Sequence, residues 1–236
     1  MADGFRRSPN LFMQKSEFLF YKNFLDLSHT SAEKLFENIY YPWEALPKIK
    51  DFISELGLTL SKNEYTEIKK NVWVSNEAEV FDSAHIEGPT IIQKGTQVRH
   101  CAFIRGCALI GENCVIGNST EVKNSIIFDS VQIPHFNYVG DSILGYKSHM
   151  GAGAITSNVK SDHSAITVRT ENEKIDTGLK KFGAVLGDNS EIGCNAVLNP
   201  GSVLGKNVTV YPTSMVRGFI PENTIFKNNG QQVKKV

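Results

Sequence analysis

The sequence predicts an all-β protein, a parallel β-helix of hexapeptide repeats, with a small, mostly helical N-terminal region. From residue 74 onward an aliphatic residue recurs every six residues, apart from two five-residue steps after Val122 and Val139, and a small side chain stands four residues after each of the first eight. The same pattern resumes after a break near residue 160. The aliphatic positions are Val74, Val80, Ile86, Ile92, Val98, Ile104, Ile110, Ile116, Val122, Ile127, Ile133, Val139, Leu144 and Met150, then Leu186, Ile192, Leu198, Leu204, Val210 and Val216.

A period of six fits neither the 3.6-residue turn of an α-helix nor the simple alternation of a strand. It fits a coil with three flat sides, in which each aliphatic side chain points inward and a small residue lies where the chain turns. Residues 18 apart in the sequence then stack on neighbouring coils, about 4.8 Å apart. The glycines that follow many aliphatic residues, such as Gly111 and Gly117, are expected to serve turns with unusual backbone angles. The number of repeats predicts six or seven coils.

The pattern divides the chain into three regions: a helical N-terminal cap (1–70), the β-helix (71–220) and a C-terminal tail (221–236). Pro47 predicts the start of a helix in the first region, and Gly57 its end. This region is expected to cover the open end of the β-helix, where an unpaired strand edge invites aggregation. An excursion loop (159–182) interrupts the repeats, and the stretches 165–169 and 174–177 predict a hairpin within it.

Composition and charge limit the function classes. Lys plus Arg (25) equals Asp plus Glu (25), so bulk charge favours no nucleic-acid partner, and any phosphate must be held by a local site. No apolar run reaches the ~20 residues of a membrane helix, and polar residues at 14–17 argue against a signal sequence. The cysteines lack zinc-type spacing and are expected to be reduced, packed thiols of a cytoplasmic protein; they are Cys101, Cys107, Cys114 and Cys194.

Two cations are expected to stack on consecutive coils. Arg105 and Lys123 are 18 residues apart, and each directly follows an inward aliphatic residue. A phosphate dianion between their heads is compatible with this spacing. A solvated pair bridged to Glu121 or another acid is equally compatible, so the spacing leaves both interpretations open.

Polar runs at 121–125, 134–141 and 151–158 coincide with breaks in the six-residue register. Tyr138 is expected to lie near Lys123, because Val139 should stack on Val122. His135 lies three residues before Tyr138 and is a candidate general base, since histidine exchanges protons near neutral pH. A surface or packed histidine without a chemical role is the alternative.

The run from Arg105 to Asn158 resembles the acetyltransferase domain of the bifunctional N-acetylglucosamine-1-phosphate uridyltransferase/glucosamine-1-phosphate acetyltransferase family. The resemblance covers roughly residues 102–216 and rests on Glu-Val-Lys-Asn-Ser at 121–125, His135 followed by Tyr-Val-Gly-Asp at 138–141, and Gly-Ala-Gly at 151–153 before Ile-Thr and Asn158. Residues 177–188 are closer to the archaeal-type sugar-1-phosphate nucleotidyltransferases that have a C-terminal β-helix.

This resemblance implies a left-handed β-helix and a homotrimer with its sites at subunit boundaries. It also implies an acetyl-CoA-dependent N-acetyltransferase that acts, without a metal, on an amino-sugar 1-phosphate in nucleotide-sugar precursor synthesis. His135 would be the base that deprotonates the sugar amine, Asn158 would bind near the amine or the thioester, and Glu121 would support the site. The implied substrate-binding residues are Arg105, Lys123, Tyr138, His149 and Lys181, and the implied acetyl-CoA contacts are Ala152, Asn158 and Cys194.

Several departures from the family leave the acceptor open. His149 stands in place of a sugar-binding Asn, Cys194 in place of a Ser, Pro134 of a Gly and Gly106 of a Pro, and the excursion loop is long. Another amino-sugar phosphate, a nucleotide-linked amino sugar, or a β-helix that binds a sugar nucleotide without chemistry therefore remain alternatives.

Two other activities are not expected. A zinc-dependent carbonic anhydrase with the same repeats needs three converging histidines, and the six here lack that spacing. Residues 1–70 are too few for a nucleotidyltransferase domain and contain no Gly-rich phosphate loop, so uridyltransferase activity is not expected either.

Overall fold

The computed structural model describes residues 17–235, so residues 1–16, where the sequence argued against a signal peptide, and Val236 lie outside it. The described chain begins with short 3₁₀ helices at Glu17–Leu19, Tyr21–Asn23, Leu27–His29, Glu33–Phe36 and Pro42–Lys48, followed by α1 (Ile49–Thr59). The strands are β1 (Tyr65–Lys69), β2 (Val72–Ser75), β3 (Glu79–Val80), β4 (His85–Ile86), β5 (Thr90–Ile92), β6 (Gln97–Val98), β7 (Phe103–Ile104), β8 (Ala108–Ile110), β9 (Val115–Asn118), β10 (Glu121–Ile127), β11 (Gln132–His135), β12 (Tyr138–Leu144), β13 (His149–Met150), β14 (Ile155–Thr156), β15 (Thr167–Arg169), β16 (Lys174–Asp176), β17 (Ala184–Leu186), β18 (Glu191–Ile192), β19 (Val197–Leu198), β20 (Ser202–Leu204), β21 (Thr209–Val210), β22 (Met215–Val216), β23 (Phe219–Ile220), β24 (Thr224–Phe226) and β25 (Gln232–Lys234).

Successive short strands occupy three faces of one parallel β-helix. Face 1 holds β2, β5, β8, the second halves of β10 and β12, β17, β20 and β23. Face 2 holds β3, β6, β9, β11, β13, β18, β21 and β24. Face 3 holds β4, β7, the first halves of β10 and β12, β14, β19 and β22. Val122 lies opposite Val139, as the repeat predicts, and the predicted fold class is confirmed.

The repeated aliphatic residues form the core. Of the twenty predicted inward positions, all except the partly exposed Val80 are buried. Burying a Val, Leu or Ile side chain stabilises the fold by about 1.5–3 kcal/mol, so the stacked rows are the main source of stability. Most of the small residues at the turns, such as Thr96 and Thr120, are buried as well.

The glycines after the aliphatic residues do not supply the unusual backbone angles that the sequence analysis expected of them. Neither Gly111 nor Gly117 has a positive φ, and the turns instead place Asn113 and Ser119 in the left-handed region, with φ of 55° and 52°. A Cβ on Gly111 would lie 2.8 Å from the backbone nitrogen of Asp129 on the next coil. Glycine is needed at such positions because the neighbouring backbone comes too close for a side chain.

The helical part of the N-terminal region packs along face 1, whereas β1, the last segment of the region predicted as a cap, pairs with β2 at the first coil. On face 1 the residue before each inward aliphatic is also apolar, and these outward residues form a continuous row: Trp73, Ile91, Leu109, Ile126, Ile143, Val185, Val203 and Phe219. All but the partly exposed Phe219 are buried. An apolar row of this length requires a cover, and α1 and the preceding 3₁₀ helix provide it.

Helix α1 differs in detail from the prediction. It begins at Ile49, after Pro47, and Gly57 lies inside it instead of ending it. A Cβ on Gly57 would overlap the ring of Trp73, so this glycine allows the helix to pack closely on face 1.

An antiparallel strand covers one face at each end of the stack. Strand β1 pairs with β2 at the first coil, and β25 pairs with β24 at the last. The segment predicted as a C-terminal tail therefore contains β24, which continues face 2, and its covering strand. Capping by a paired strand satisfies the backbone groups of an edge directly, which a helix packed on a face cannot do.

The excursion loop leaves the β-helix between β14 and β17. Its strands β15 and β16 pair in antiparallel fashion, with Thr167 opposite Asp176, which confirms the predicted hairpin. Within residues 17–235, no helix has the length and apolar character that crossing a membrane demands.

Candidate active site

Face 3 ends in a turn toward face 1, here called corner 3/1 (residues 105–107, 123–124, 140–141 and 157–158). Arg105 and Lys123 follow each other there on consecutive coils, as predicted, because β7 and β10 pair in that register. Each cation is bound to a carboxylate: an Nη1 of Arg105 donates to Oε1 of Glu121 at 2.7 Å, and Nζ of Lys123 donates to Oδ2 of Asp141 at 3.2 Å. Each cation thus has a carboxylate partner, and the binding of a phosphate between the two remains a prediction.

Asp141 is the centre of corner 3/1, and the sequence analysis gave it no role. Its side chain is only 6% exposed and accepts hydrogen bonds from Lys123, from Nδ2 of Asn124 at 2.9 Å and from Nδ2 of Asn158. Its φ of 49° places it at the turn itself, in a region that Asp tolerates better than most residues. One carboxylate thus orients both Lys123 and Asn158.

Replacing Asp141 with Asn is expected to lower the free energy of unfolding by about 1–3 kcal/mol, because a buried acceptor of several donors loses its charge and half of its accepting capacity. Denaturant unfolding measures this. Glu191→Gln is the matched control, since Glu191 is an exposed carboxylate whose pairing with His149 is of the surface kind that contributes little. Equal stability of both variants would contradict the central role of Asp141.

Tyr138 lies on face 3, opposite Glu121 on the preceding coil. Its phenol folds over Gly140, where a Cβ would lie 2.6 Å from the phenol oxygen. Burial raises the pKa of Tyr138, the nearby carboxylates of Asp141 and Glu121 raise it further, and a hydrogen bond with Asn158 opposes them. The phenol therefore remains protonated at neutral pH and is available as a hydrogen-bond donor.

The turn from face 2 to face 3, here called corner 2/3 (residues 118–119, 135–136, 152–153 and 194–195), carries the predicted base and two predicted cofactor contacts. His135, Ala152 and Cys194 occupy the same position on three successive coils. The N–H of Gly153 donates to the carbonyl of His135 at 3.0 Å, and the N–H of Asn195 donates to the carbonyl of Ala152 at 2.8 Å. His135 and Cys194 are exposed. The His135 ring has no hydrogen-bond or ion-pair partner among residues 17–235.

The two corners are not in contact within one chain. They lie at opposite edges of face 3, which is about three residues wide, or roughly 10 Å at the rise of a strand. The structure therefore brings Arg105, Glu121, Lys123, Tyr138 and Asn158 together, and it places His135 with Ala152 and Cys194 at the far edge of the same face.

His149 and Lys181 lie apart from both groups. His149 projects from face 2, where its Nδ1 is 2.9 Å from Oε2 of Glu191. Lys181 is exposed at the end of the excursion loop. The next residue, Phe182, donates its N–H to the carbonyl of Asn158 at 3.0 Å, so the chain at Lys181 passes beside corner 3/1. The substrate-binding roles of both residues remain predictions.

The cysteines also differ from expectation. All four are free, but Cys101 and Cys194 are exposed instead of packed. Cys114 is fully buried, and this burial raises its pKa to about 12. In the part of the chain that the structure describes, no cluster of His, Cys, Asp and Glu side chains is suited to hold a metal ion.

Two family models match the chain: residues 86–180 match the GMPPB C-terminal domain, and residues 183–218 match the bacterial transferase hexapeptide (six repeats). The uncharacterized acetyltransferase YaiX of Escherichia coli O6:K15:H31 (strain 536) is 31% identical over 201 residues, which cover 77% of this chain and 85% of that protein. The fold and these repeats define a hexapeptide-repeat transferase.

Longer relatives match as well. The bifunctional protein GlmU of Methanococcus aeolicus is 31% identical over 177 residues (67% of this chain, 43% of that protein). The bifunctional sugar-1-phosphate nucleotidylyltransferase/acetyltransferase of Sulfurisphaera tokodaii is 30% identical over 160 residues (68% and 40%). The chain spans less than half the length of these two relatives. Among solved structures, the acetyltransferase domain of PglB from Neisseria gonorrhoeae with acetyl coenzyme A has a TM-score of 0.31 and 16% identity, over 69% of this chain and 57% of that one. The hexapeptide match and the likeness to YaiX over most of its length show that the chain belongs to the hexapeptide-repeat acyltransferase family.

Proposed function

We propose that the protein transfers the acetyl group of acetyl-CoA to the amine of an amino-sugar 1-phosphate, similar to glucosamine 1-phosphate, for nucleotide-sugar precursor synthesis. The observation that carries this proposal is the arrangement of face 3: at one edge lies His135, whose ring has no partner among residues 17–235, and at the other lies a cluster of phosphate-binding residue types. The name of the Sulfurisphaera relative, which joins sugar-1-phosphate chemistry with acetyl transfer, supports the same substrate class.

His135 supplies the base that this reaction needs. An ammonium group has no lone pair, so His135 takes a proton from the sugar amine before the nitrogen attacks the thioester carbonyl carbon. The C–N bond forms, a tetrahedral oxyanion develops, and a hydrogen-bond donor such as the Asn158 amide stabilises it. The C–S bond then breaks as the nitrogen releases its second proton to solvent, and the proton on His135 passes to the departing CoA sulfur. Neither a covalent enzyme intermediate nor a metal is required.

The paired carboxylates orient the phosphate-binding cations without blocking them. Arg105 has five N–H donors and uses one on Glu121, so the remaining donors can bind a phosphate while the Glu121 bond fixes the plane of the guanidinium. The same hydrogen bond, which Arg105 donates to Glu121, holds the pKa of Arg105 above its ordinary value. Lys123 likewise has two donors beyond the one bound to Asp141.

A homotrimer would bring the two corners together across subunit boundaries, because within one chain the width of face 3 separates them. Exposed apolar side chains on or beside face 3 support this assembly: Phe103, Phe136, Ile155 and Met215. Light scattering behind size exclusion is expected to give three times the 26.2-kDa chain mass, and a monomer would contradict the shared site.

Release of the CoA thiol from acetyl-CoA tests the activity, with glucosamine 1-phosphate, galactosamine 1-phosphate and UDP-glucosamine as acceptors. Turnover with a 1-phosphate is the expected result. Turnover with UDP-glucosamine alone would replace the acceptor class, and silence with all three by a folded trimer would overturn the proposal.

Acetyl-CoA is expected to protect Cys194 from alkylation, because Cys194 and Ala152, two of the proposed acetyl-CoA contacts, both lie at corner 2/3. With CoA at ten times its dissociation constant, labelling should slow roughly tenfold, because only the free fraction reacts. Cys101 is the internal control, since it is an exposed thiol at the same turn on an earlier coil, and Cys114 should stay unlabelled because its thiolate is scarce. Peptide mass spectrometry measures the labelling of all three cysteines. Equal labelling rates at Cys194 with and without CoA would show that CoA binds away from Cys194.

A further inference from the structure

A groove of about 380 Å³ lies between the excursion hairpin and the β-helix, next to corner 3/1. The hairpin side contributes Lys160, Thr167 and Arg169, and the coil side contributes Ser157, Asn199 and Arg217. This hairpin groove adjoins the candidate active site, since Ser157 directly precedes Asn158.

The hairpin is packed against the coils, so the groove has fixed walls. Ile166 and Val168 are fully buried. Gly201 and Gly218 both have a φ of +80°, and a Cβ on Gly218 would lie 2.6 Å from the carbonyl oxygen of Arg169. Because Arg217 directly precedes Gly218, this close approach holds two arginines from separate elements at the same groove.

The charge of the hairpin groove is not balanced. Its one acid, Asp162, accepts hydrogen bonds from the N–H and hydroxyl of Ser164. Lys160 donates to the carbonyl of Ala165, which is neutral. Neither Arg169 nor Arg217 forms an ion pair with any residue in the range 17–235. In this respect they differ from Arg105 and Lys123, each of which already has a carboxylate.

We propose that the hairpin groove binds a diphosphate group, separate from the sugar phosphate at corner 3/1. Two guanidinium groups without a carboxylate repel each other, and an anion between them removes that cost. Their planar forks suit bidentate binding of phosphate oxygens. The diphosphate belongs either to a nucleoside diphosphate attached to the acceptor sugar or to CoA. Only the choice between these two molecules as the carrier of the diphosphate rests on the proposed function.

Titration calorimetry on the full chain with inorganic pyrophosphate tests the site. Arg169→Ala and Arg217→Ala are each expected to weaken binding about tenfold or more, the effect of losing a hydrogen bond between charged groups. Arg217→Lys keeps the charge but loses the fork and should lose less. Lys174→Ala is the matched control, because Lys174 lies opposite Arg169 on the hairpin without lining the groove, and it should bind as the wild type does.

UDP and CoA then identify the carrier. A selective loss of UDP affinity in the two arginine variants would assign the groove to the acceptor's nucleotide, and a loss of CoA affinity would assign it to the donor. Pyrophosphate affinity that is absent in the wild type, unchanged in both arginine variants, or equally reduced in Lys174→Ala would overturn the proposal. Because binding is measured without turnover, a functional groove in an inactive protein would refute only the acetyltransferase proposal.

Discussion

Replacing His135 with alanine is expected to lower kcat for acetyl transfer by about 10²–10⁴-fold, the range that a positioned general base contributes. The exposed ring makes no hydrogen bond within residues 17–235, so its removal should leave the unfolding midpoint unchanged. KM for the sugar phosphate should change little, because Arg105 and Lys123 lie at the opposite edge of face 3. Initial rates over a range of acceptor concentrations separate kcat from KM.

The pH dependence gives a second readout for His135. As the pH rises, more of the sugar amine is already deprotonated in solution, so the deficit of His135→Ala should shrink. His85→Ala is the matched control, since His85 is an exposed histidine of face 3 two coils before Glu121. A kcat deficit that stays constant with pH, or one that His85→Ala shares, would rule out proton transfer by His135.

Replacing Trp43 with alanine is expected to lower the free energy of unfolding by about 3–5 kcal/mol, the usual effect of truncating a buried Trp. Trp43 is 1% exposed and stacks on Tyr41, with ring centroids 4.6 Å apart. The ring centroid of Phe182 lies 5.8 Å from that of Trp43. Chemical denaturation measures the change. Leu58→Ala is the control, because Leu58 is an 80% exposed residue of α1, and it should stay within about 0.5 kcal/mol of the wild type.

Trp43→Ala should also affect the site. Phe182 is hydrogen-bonded through its N–H to Asn158 and directly follows Lys181. Loosening of Phe182 is therefore expected to raise KM for the sugar phosphate at temperatures where the variant is still folded. A destabilised variant with an unchanged KM would show that the N-terminal region stabilises face 1 without influencing corner 3/1.

The sequence predicts the coil well because its register is local. Each six-residue step is fixed by the residues within it, so Val122 and Val139 could be paired without knowledge of distant contacts. The outward row on face 1 is also present in the sequence, in pairs such as Ile91 and Ile92, but a six-residue repeat does not single it out. The packing of α1 on face 1 was therefore not predicted, although β1 of the same region does pair at the first coil.

The site is less predictable because it depends on the turns. The donors to Asp141 come from different coils, and their convergence requires a left-handed backbone at the turn, which the repeat does not encode. His149 and Glu191 are 42 residues apart because the excursion loop separates their coils, so a search for residues 18 apart misses their contact.

The excursion loop leaves the ladder that it interrupts intact. Leu144 still lies opposite Leu186, and Ile155 opposite Val197, as if the intervening segment were absent. The entropy of closing a loop grows only slowly with its length, so corner 3/1 can accept insertions of many lengths without disturbing the stack. The coils thus keep their register whatever the length of the loop, so a change in loop length alters the hairpin side of the groove and leaves the coil side in place.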